Sequence, residues 1–477
     1  MLVALGFAMI ATFMALIMTK RMTPLLALII VPTIFGLFAG AGLGIGDMVM
    51  DSVKSMSGTA AMLMFAIMYF GIMIDVGLFD KLVDGILRLV GNDPAKVVMG
   101  TAILTGLISL DGDGSTTFIV VTAALLPIYL RLGMSPVVLT CVAGLTNGTM
   151  NIVPWGGPTA RAAAALHVDA SAIFVPMIPA LAAGLIAVFA FAWAMGIGER
   201  KRLQREDPLR WGTGSRMNGT GTANPTKSPK GGLALGSGNR GTALMERVAT
   251  PGNGTETATM DGTVLDPTRE TLRPKLFIFN LAMTVAIMVL LVVDLVPMAY
   301  LFMVGTAIAL LVNFPKISDQ AKMIASHASS VIAVVSMVLA AAVLTGVLSG
   351  TGMVEAMSAW LVDVIPSSMG PLLAILTGLI SIPATFFMSN DAFYFGILPV
   401  LTEAGAHYGI PAVDMARASI TGQPVHMQSP LVPAILLLVS LSKVDLGDHH
   451  KKVLWRAVVV SFVMLAVGVL TGAIGIG

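Results

Sequence analysis

The sequence predicts an all-α polytopic membrane protein made of two inverted-topology repeats, each with about five spans and one re-entrant hairpin. Three observations predict it: apolar stretches near bilayer length recur along the chain, one eight-residue segment occurs twice, and polar breaks interrupt apolar segments at matching places in both halves.

Composition comes first. Hydrophobic residues fill 56% of 477 positions, charged residues only 11%, and mean hydropathy is +0.89, which excludes an ordinary soluble globular protein. Stretches such as 2–18, 25–43 and 58–74 approach the roughly 20 residues that cross a hydrocarbon core. The first lacks a basic leading region and a small-residue cleavage site, so it is expected to be a retained helix. The single cysteine, Cys141, lies in an apolar run and offers neither an internal disulfide nor a cysteine-based metal site.

One segment departs from this pattern. Residues 199–275 are rich in Gly, Thr, Asn and Pro and carry 13 of the 28 Lys and Arg, which predicts a disordered linker. The cluster Arg200, Lys201, Arg202 and Arg205 directly follows an apolar stretch and assigns the linker to the cytoplasmic side. The expected organisation is therefore an N-terminal transmembrane repeat (1–198), a cytoplasmic disordered linker (199–275) and a C-terminal inverted transmembrane repeat (276–477). The expected location is a bacterial cell (inner) membrane.

Duplication is visible directly, because residues 102–109 and 374–381 both read AILTGLIS, an offset of 272. At that offset Pro94 matches Pro366, Leu126-Pro127 matches Leu398-Pro399, and Pro158 matches Pro430. Lys20-Arg21, Lys81, Arg88, Lys96 and Arg131 place the flanks of the first hairpin on the cytoplasmic side. Glu355, Asp363, Glu403 and Asp414 surround the second hairpin with little positive charge, so the halves are expected to be inverted.

The breaks carry the chemistry. The first hairpin, 96–130, is interrupted by SLDGDGSTT, and its counterpart, 371–401, by FFMSND. The next apolar segments are broken by TNGTMNIVPWGGPTAR and by TGQPVHMQSP. Non-helical backbone at membrane depth is tolerated only where it lines a cavity or packs in protein, so four matched breaks predict a two-fold related site. Backbone N–H groups at helix N-termini and Ser, Thr or Asn donors hold carboxylates well. The polar residues of the breaks, Thr159, Thr421, Gln428 and Ser429 among them, are accordingly substrate-binding candidates. Arg161 is either a bidentate clamp for a substrate carboxylate or a side chain snorkelling to an interface. Asp111, Asp113 and Asp391 would repel a polyanion, so a cation is expected between them: Mg²⁺, Ca²⁺ or Na⁺, with protonation as the other remedy. The alternative for the DGDG stretch is an aqueous turn.

The motifs LIMTKRMTPL, MLMFAIMYFGIMIDVGLFD, LISLDGDGSTTFIV, MNIVPWGGPTAR, FMSNDAFYFGILPVL and GQPVHMQSPLVPA together closely resemble the citrate–metal:proton symporters of the citrate transporter (CitMHS) family, within the wider ion-transporter superfamily. The resemblance covers both hydrophobic halves. It implies proton-driven uptake of citrate complexed with a divalent metal of the Mg or Ca class, no tightly bound cofactor, paired re-entrant hairpins and a homodimer. On that basis Ser115, Thr116, Thr117, Ser389 and Asn390 are expected as hairpin-tip ligands, with Asn147, Asn151 and Gly157 opposite.

His426, inside the second broken helix, is either the carrier of the coupled proton or a buried structural histidine. His449-His450, beside Lys451-Lys452, reads as a solvated turn. Asp75, ending the third span, is a helix-end charge or a coupling residue. Two function classes stay open: a symporter for citrate or another di- or tricarboxylate or organic anion, and a cation exchanger or channel. Neither an enzyme motif nor a nucleic-acid partner is indicated.

Overall fold

The computed structural model describes residues 1–19, 21–206, 269–293, 295–366 and 368–477. Lys20 and residues 207–268 of the expected linker lie outside the described residues.

The described chain is helical throughout, and eight of its helices are long and apolar enough to cross a membrane. The first half runs α1 (Leu2–Met18), α2 (Pro24–Phe38), α3 (Ile45–Asp75), α4 (Asp80–Val90), α5 (Pro94–Ile108), α6 (Gly114–Leu132), α7 (Pro136–Met150), α8 (Gly157–Leu166), α9 (Ala170–Phe174) and α10 (Ile178–Glu206). The second half runs α11 (Phe277–Val293), α12 (Met298–Asn313), α13 (Ile317–Gly350), α14 (Met353–Val364), α15 (Leu373–Phe387), α16 (Leu398–Ala406), α17 (Ala412–Ser419), α18 (Gln423–His426), α19 (Pro433–Leu441) and α20 (Leu446–Leu470). Local sequence sets the starts. Prolines occupy the first turns of α2, α5 and α7, where their missing N–H has no intrahelical partner to lose. Thr23, Asp93 and Asp445 cap α2, α5 and α20 through their side chains.

The order of elements recurs. Ile45 and Ile317 open the two longest helices, α3 and α13, at the offset of 272 seen in the duplicated octapeptide. These two helices pack against each other in opposite directions: Ser52 Oγ lies 2.8 Å from Thr345 Oγ1, whereas Asp75, at the far end of α3, pairs with His327 near the start of α13. Small residues permit the approach, since a Cβ on Gly346 would come within 2.7 Å of the Met48 carbonyl oxygen. The equivalent helices α10 and α20 also pack antiparallel, with Gly184 against Met464 at one end and Phe191 on Trp455 further along, at 5.3 Å between ring centroids.

Two sequence expectations change here. The start of the expected linker is not irregular, because α10 continues through Arg200, Lys201, Arg202 and Arg205 to Glu206. Arg200 forks onto the Asp93 carboxylate and Arg202 donates to the Gly133 carbonyl, so these two arginines are fastened to the body of the protein. Partial burial alone would raise the Asp93 pKa, but its bonds to Arg200 and to the Ala95 N–H hold the carboxyl below its ordinary range. The other end of the linker is also bound. Arg269 donates to the carbonyls of Ile74 and Asp75 and pairs with Asp80 at 2.8 Å, and Thr271 donates to the Asp75 carbonyl. Asp75 itself reaches His327 Nε2 at 3.0 Å.

Candidate substrate site at the broken helices

Each residue of the DGDG stretch has a separate task. Asp111 ends a tight turn after α5, is 8% exposed, and its Oδ1 accepts the Asp113 N–H at 2.9 Å. Gly112 takes φ +79°, the left-handed conformation that favours glycine, and packs beneath Trp155. Asp113 caps α6: its carboxylate accepts the N–H groups of Ser115 and Thr116 at 3.0 Å and the Thr116 hydroxyl at 2.6 Å. Gly114 leaves room for Asn147, whose Oδ1 would stand 3.1 Å from a Cβ there.

The break after α7 folds onto this tip. Asn147 Nδ2 donates to Ser109 Oγ at 2.8 Å, and Trp155 Nε1 donates to the Leu110 carbonyl at 2.8 Å. In the other half the counterparts meet likewise: His426 Nδ1 contacts the Thr385 carbonyl at 2.6 Å, and Ser429 Oγ donates to the Phe386 carbonyl at 2.6 Å. A carbonyl only accepts, so Nδ1 carries the proton and Nε2 is the basic nitrogen of the neutral ring.

Two side-chain pairs at the breaks join the halves. Arg161 Nε donates to Asp391 Oδ1 at 2.6 Å, with side chains 24% and 11% exposed. Asn151 Nδ2 donates to Gln423 Oε1 at 3.1 Å. Gln423 Nε2 in turn donates to Tyr394 Oη at 3.0 Å and Asn390 Oδ1 at 3.3 Å. Asp391 is followed by a π-helical turn, Ala392–Ile397, an irregularity frequent at functional sites. Gly157 opens α8 and lets Arg161 fold back over it, for a Cβ would lie 2.7 Å from Arg161 Nη1.

The expected site residues fall into two groups. Arg161, Asp391, Asn151 and Asn390 converge with Gln423 across the halves, and Asn147, Ser115, Thr116 and Thr117 gather at the first tip. Ser389 sits at the second tip and accepts the Ala392 N–H at 3.2 Å. Asn147 Oδ1 and Thr117 Oγ1 are buried there without a hydrogen-bond partner, a costly arrangement unless a ligand completes it. Thr159, Thr421, Gln428 and Ser429 behave differently. All are fully buried, and they donate to the carbonyls of Ile152, Ala418, Gly144 with Pro424, and Phe386 respectively, so they brace the broken backbone.

Two readings are corrected. The three aspartates are not one cluster: Arg161 holds Asp391, Asp113 is engaged as a cap, and among the described residues no three ligating side chains are placed to hold a metal ion on their own. His449-His450 is not a solvated turn. The first turn of α20 packs on α7 and α18, burying His449 completely between Thr140 Oγ1 and Gln428 Oε1, each at 3.1 Å. His450 Nε2 reaches the Gln428 carbonyl at 2.7 Å. Adjacent exposed Lys451 made the pair look aqueous.

A family profile described as "Citrate transporter" (CitMHS) matches residues 2–422. The chain belongs to this citrate transporter family. The CitMHS chain is 45% identical over 474 residues to a "Citrate transporter" of Bacillus subtilis (strain 168), covering 99% of this chain and all of that one. It is 44% identical, over the full length of both, to the "Mg(2+)/citrate complex secondary transporter" of the same organism, and 40% identical to its "Uncharacterized transporter YraO". The crystal structure of the Alcanivorax borkumensis YdaH transporter, described as having an unusual topology, superposes with a TM-score of 0.54 over 88% of this chain and 87% of that one at 13% identity, a likeness of fold alone. Membership makes this a multi-pass membrane transporter and not an enzyme. Gln423 and Tyr394 join this arrangement of candidate residues and were passed over by sequence reasoning. A signal for Gln423 existed, since it is the position 272 residues after Asn151.

Proposed function

We propose that this protein imports citrate as a complex with a divalent cation of the Mg or Ca class, driven by proton symport. The observation that carries the reading is the Arg161–Asp391 pair, one charge from each half, joining a broken segment of the first half to one of the second. Free citrate taking Arg161 would face the Asp391 carboxylate; two like charges 4 Å apart repel by about 4 kcal/mol at an effective dielectric of 20. A metal–citrate complex offers an anionic end to Arg161 and a cationic centre to Asp391, exchanging one ion pair for two. The names of the two Bacillus subtilis relatives agree with citrate and with its Mg²⁺ complex as cargo.

Asp111, Asn147 Oδ1 and Thr117 Oγ1 are the oxygens proposed to face the cation at the first tip, and Ser115, Thr116, Ser389, Asn390, Asn151 and Gly157 the groups around the carboxylates. His426 is proposed to carry the proton through Nε2, with the Arg161–Asp391 pair within electrostatic range. Antiparallel packing of the equivalent helices supports inverted halves; the basic residues Arg200, Lys201, Arg202 and Arg205 support a cytoplasmic linker, and the bacterial cell membrane and a homodimer are proposed from the family resemblance.

Uptake of labelled citrate by proteoliposomes tests this. The wild type should require a divalent ion, and uptake should collapse when the proton gradient is removed at fixed membrane potential. Arg161→Gln and Asp391→Asn should each abolish uptake, and His426→Gln should uncouple it from the proton gradient. Full uptake in the presence of a chelator would refute the metal complex, and indifference to the proton gradient would refute symport.

A further inference from the structure

The site does not use an apolar cleft of about 440 Å³ between the first hairpin and helices α3, α4 and α11. Phe70, Leu82, Leu110, Leu281, Val289 and Val293 are among its walls. Its only polar lining residue is Thr284, whose hydroxyl is already engaged with Tyr69 and the Asn280 carbonyl. Water has no partner there, so the cleft selects an apolar occupant. Along α11 it extends from Leu281 to Val293, roughly 18 Å at 1.5 Å per residue, the scale of an acyl chain. Val285, Val289, Val292 and Val293 are each about half exposed, which leaves the cleft open sideways, and α11 is the least buried of the candidate spans at 22%.

Charge identifies the kind of molecule. Where α11 begins, about one turn below Leu281, exposed Lys81 lies over the Phe277 ring at 4.5 Å and donates to the Pro274 carbonyl at 3.2 Å. Exposed Lys275 directly follows Pro274 in the chain, Arg273 turns onto the Phe314 ring and the Asn313 carbonyl, and the neighbouring carboxylate of Asp80 is already paired with Arg269. Asp84 and Glu270 are the remaining acidic groups of this surface, both exposed. We propose that the cleft is a binding site for a phospholipid with an anionic headgroup, its phosphate at Lys81 and Lys275 and one acyl chain along α11. That chain would touch Leu110, whose carbonyl accepts the Trp155 indole at the first hairpin tip, and so would connect the bilayer to the tip.

The full-length protein is reconstituted in phosphatidylcholine bilayers containing a tail-diazirine phosphatidylglycerol or the same tail on phosphatidylcholine, and adducts are mapped after illumination. Adducts on 281–293 should be several-fold more abundant with the anionic lipid. Lys81→Gln with Lys275→Gln, two exposed changes, should bring them to the phosphatidylcholine level, and Val289→Trp should remove them for both lipids. Equal labelling by both lipids in the wild type, or labelling spread evenly over all exposed spans, would overturn the site. So would disulfide-linked dimers of a Val289→Cys protein in native membranes, because α11 would then be covered by a second copy of the chain.

Discussion

Asn151 and Gln423 occupy equivalent positions of the two repeats and bond directly to each other, Nδ2 to Oε1 at 3.1 Å. Residues related by a two-fold operation meet only on or near its axis, so this amide pair marks the centre of the duplicated architecture. Gly148 allows the crossing, since a Cβ there would come within 3.2 Å of the Gln423 carbonyl oxygen. Gln423→Ala should lower apparent citrate affinity about ten- to a hundredfold, the cost of leaving buried amide partners unsatisfied, roughly 1–3 kcal/mol. Asn151→Ala with Gln423→Ala should cost clearly less than the sum of the single changes, read from uptake KM in a double-mutant cycle. Additive losses would show that the two amides act independently.

Gly157 separates stability from transport. A methyl at this position collides with Arg161 Nη1, the free end of a long side chain that can move away. Gly157→Ala should therefore leave Tm nearly unchanged yet weaken uptake, because Arg161 is pushed off Asp391. Thermal unfolding and uptake measured on one preparation check this; a large loss of Tm with intact KM would contradict it.

Asp111 and Asp113 should respond differently to the same change. Asn caps a helix about as well as Asp, so Asp113→Asn should keep both fold and metal dependence, and Asp113→Ala should destabilise by about 1 kcal/mol. Asp111→Asn replaces a carboxyl at the buried side of the tip and should shift the Mg²⁺ dependence of uptake to higher concentration. Identical metal curves for wild type and Asp111→Asn, at equal expression, would remove Asp111 from the cation site.

Topology is open to chemical labelling. The native Cys141 is fully buried and should be silent to an impermeant thiol reagent, so a Ser237→Cys protein reports on the linker alone. Modification is expected only in inverted vesicles; modification in intact cells would place the linker outside.

Hydrophobic segment length, the repeated AILTGLIS and the clustering of polar residues are one-dimensional properties, and they determined the membrane class, the duplication and the location of the breaks from the sequence alone. The DGDG turn was legible as a break for the same reason: Asp111, Gly112 and the capping Asp113 act within a few residues of each other. What a polar side chain in a break does was not legible. Arg161 and Asp391 are 230 residues apart and become partners only when the halves pack, while Gln428 has the composition of a ligand but spends its amide on backbone 284 residues away. His449 shows the same limit from the other side, since neighbouring lysines suggest water and helix packing removes it. Polar groups at membrane depth must find partners within the protein, and which partner each finds depends on distances that only the tertiary structure sets.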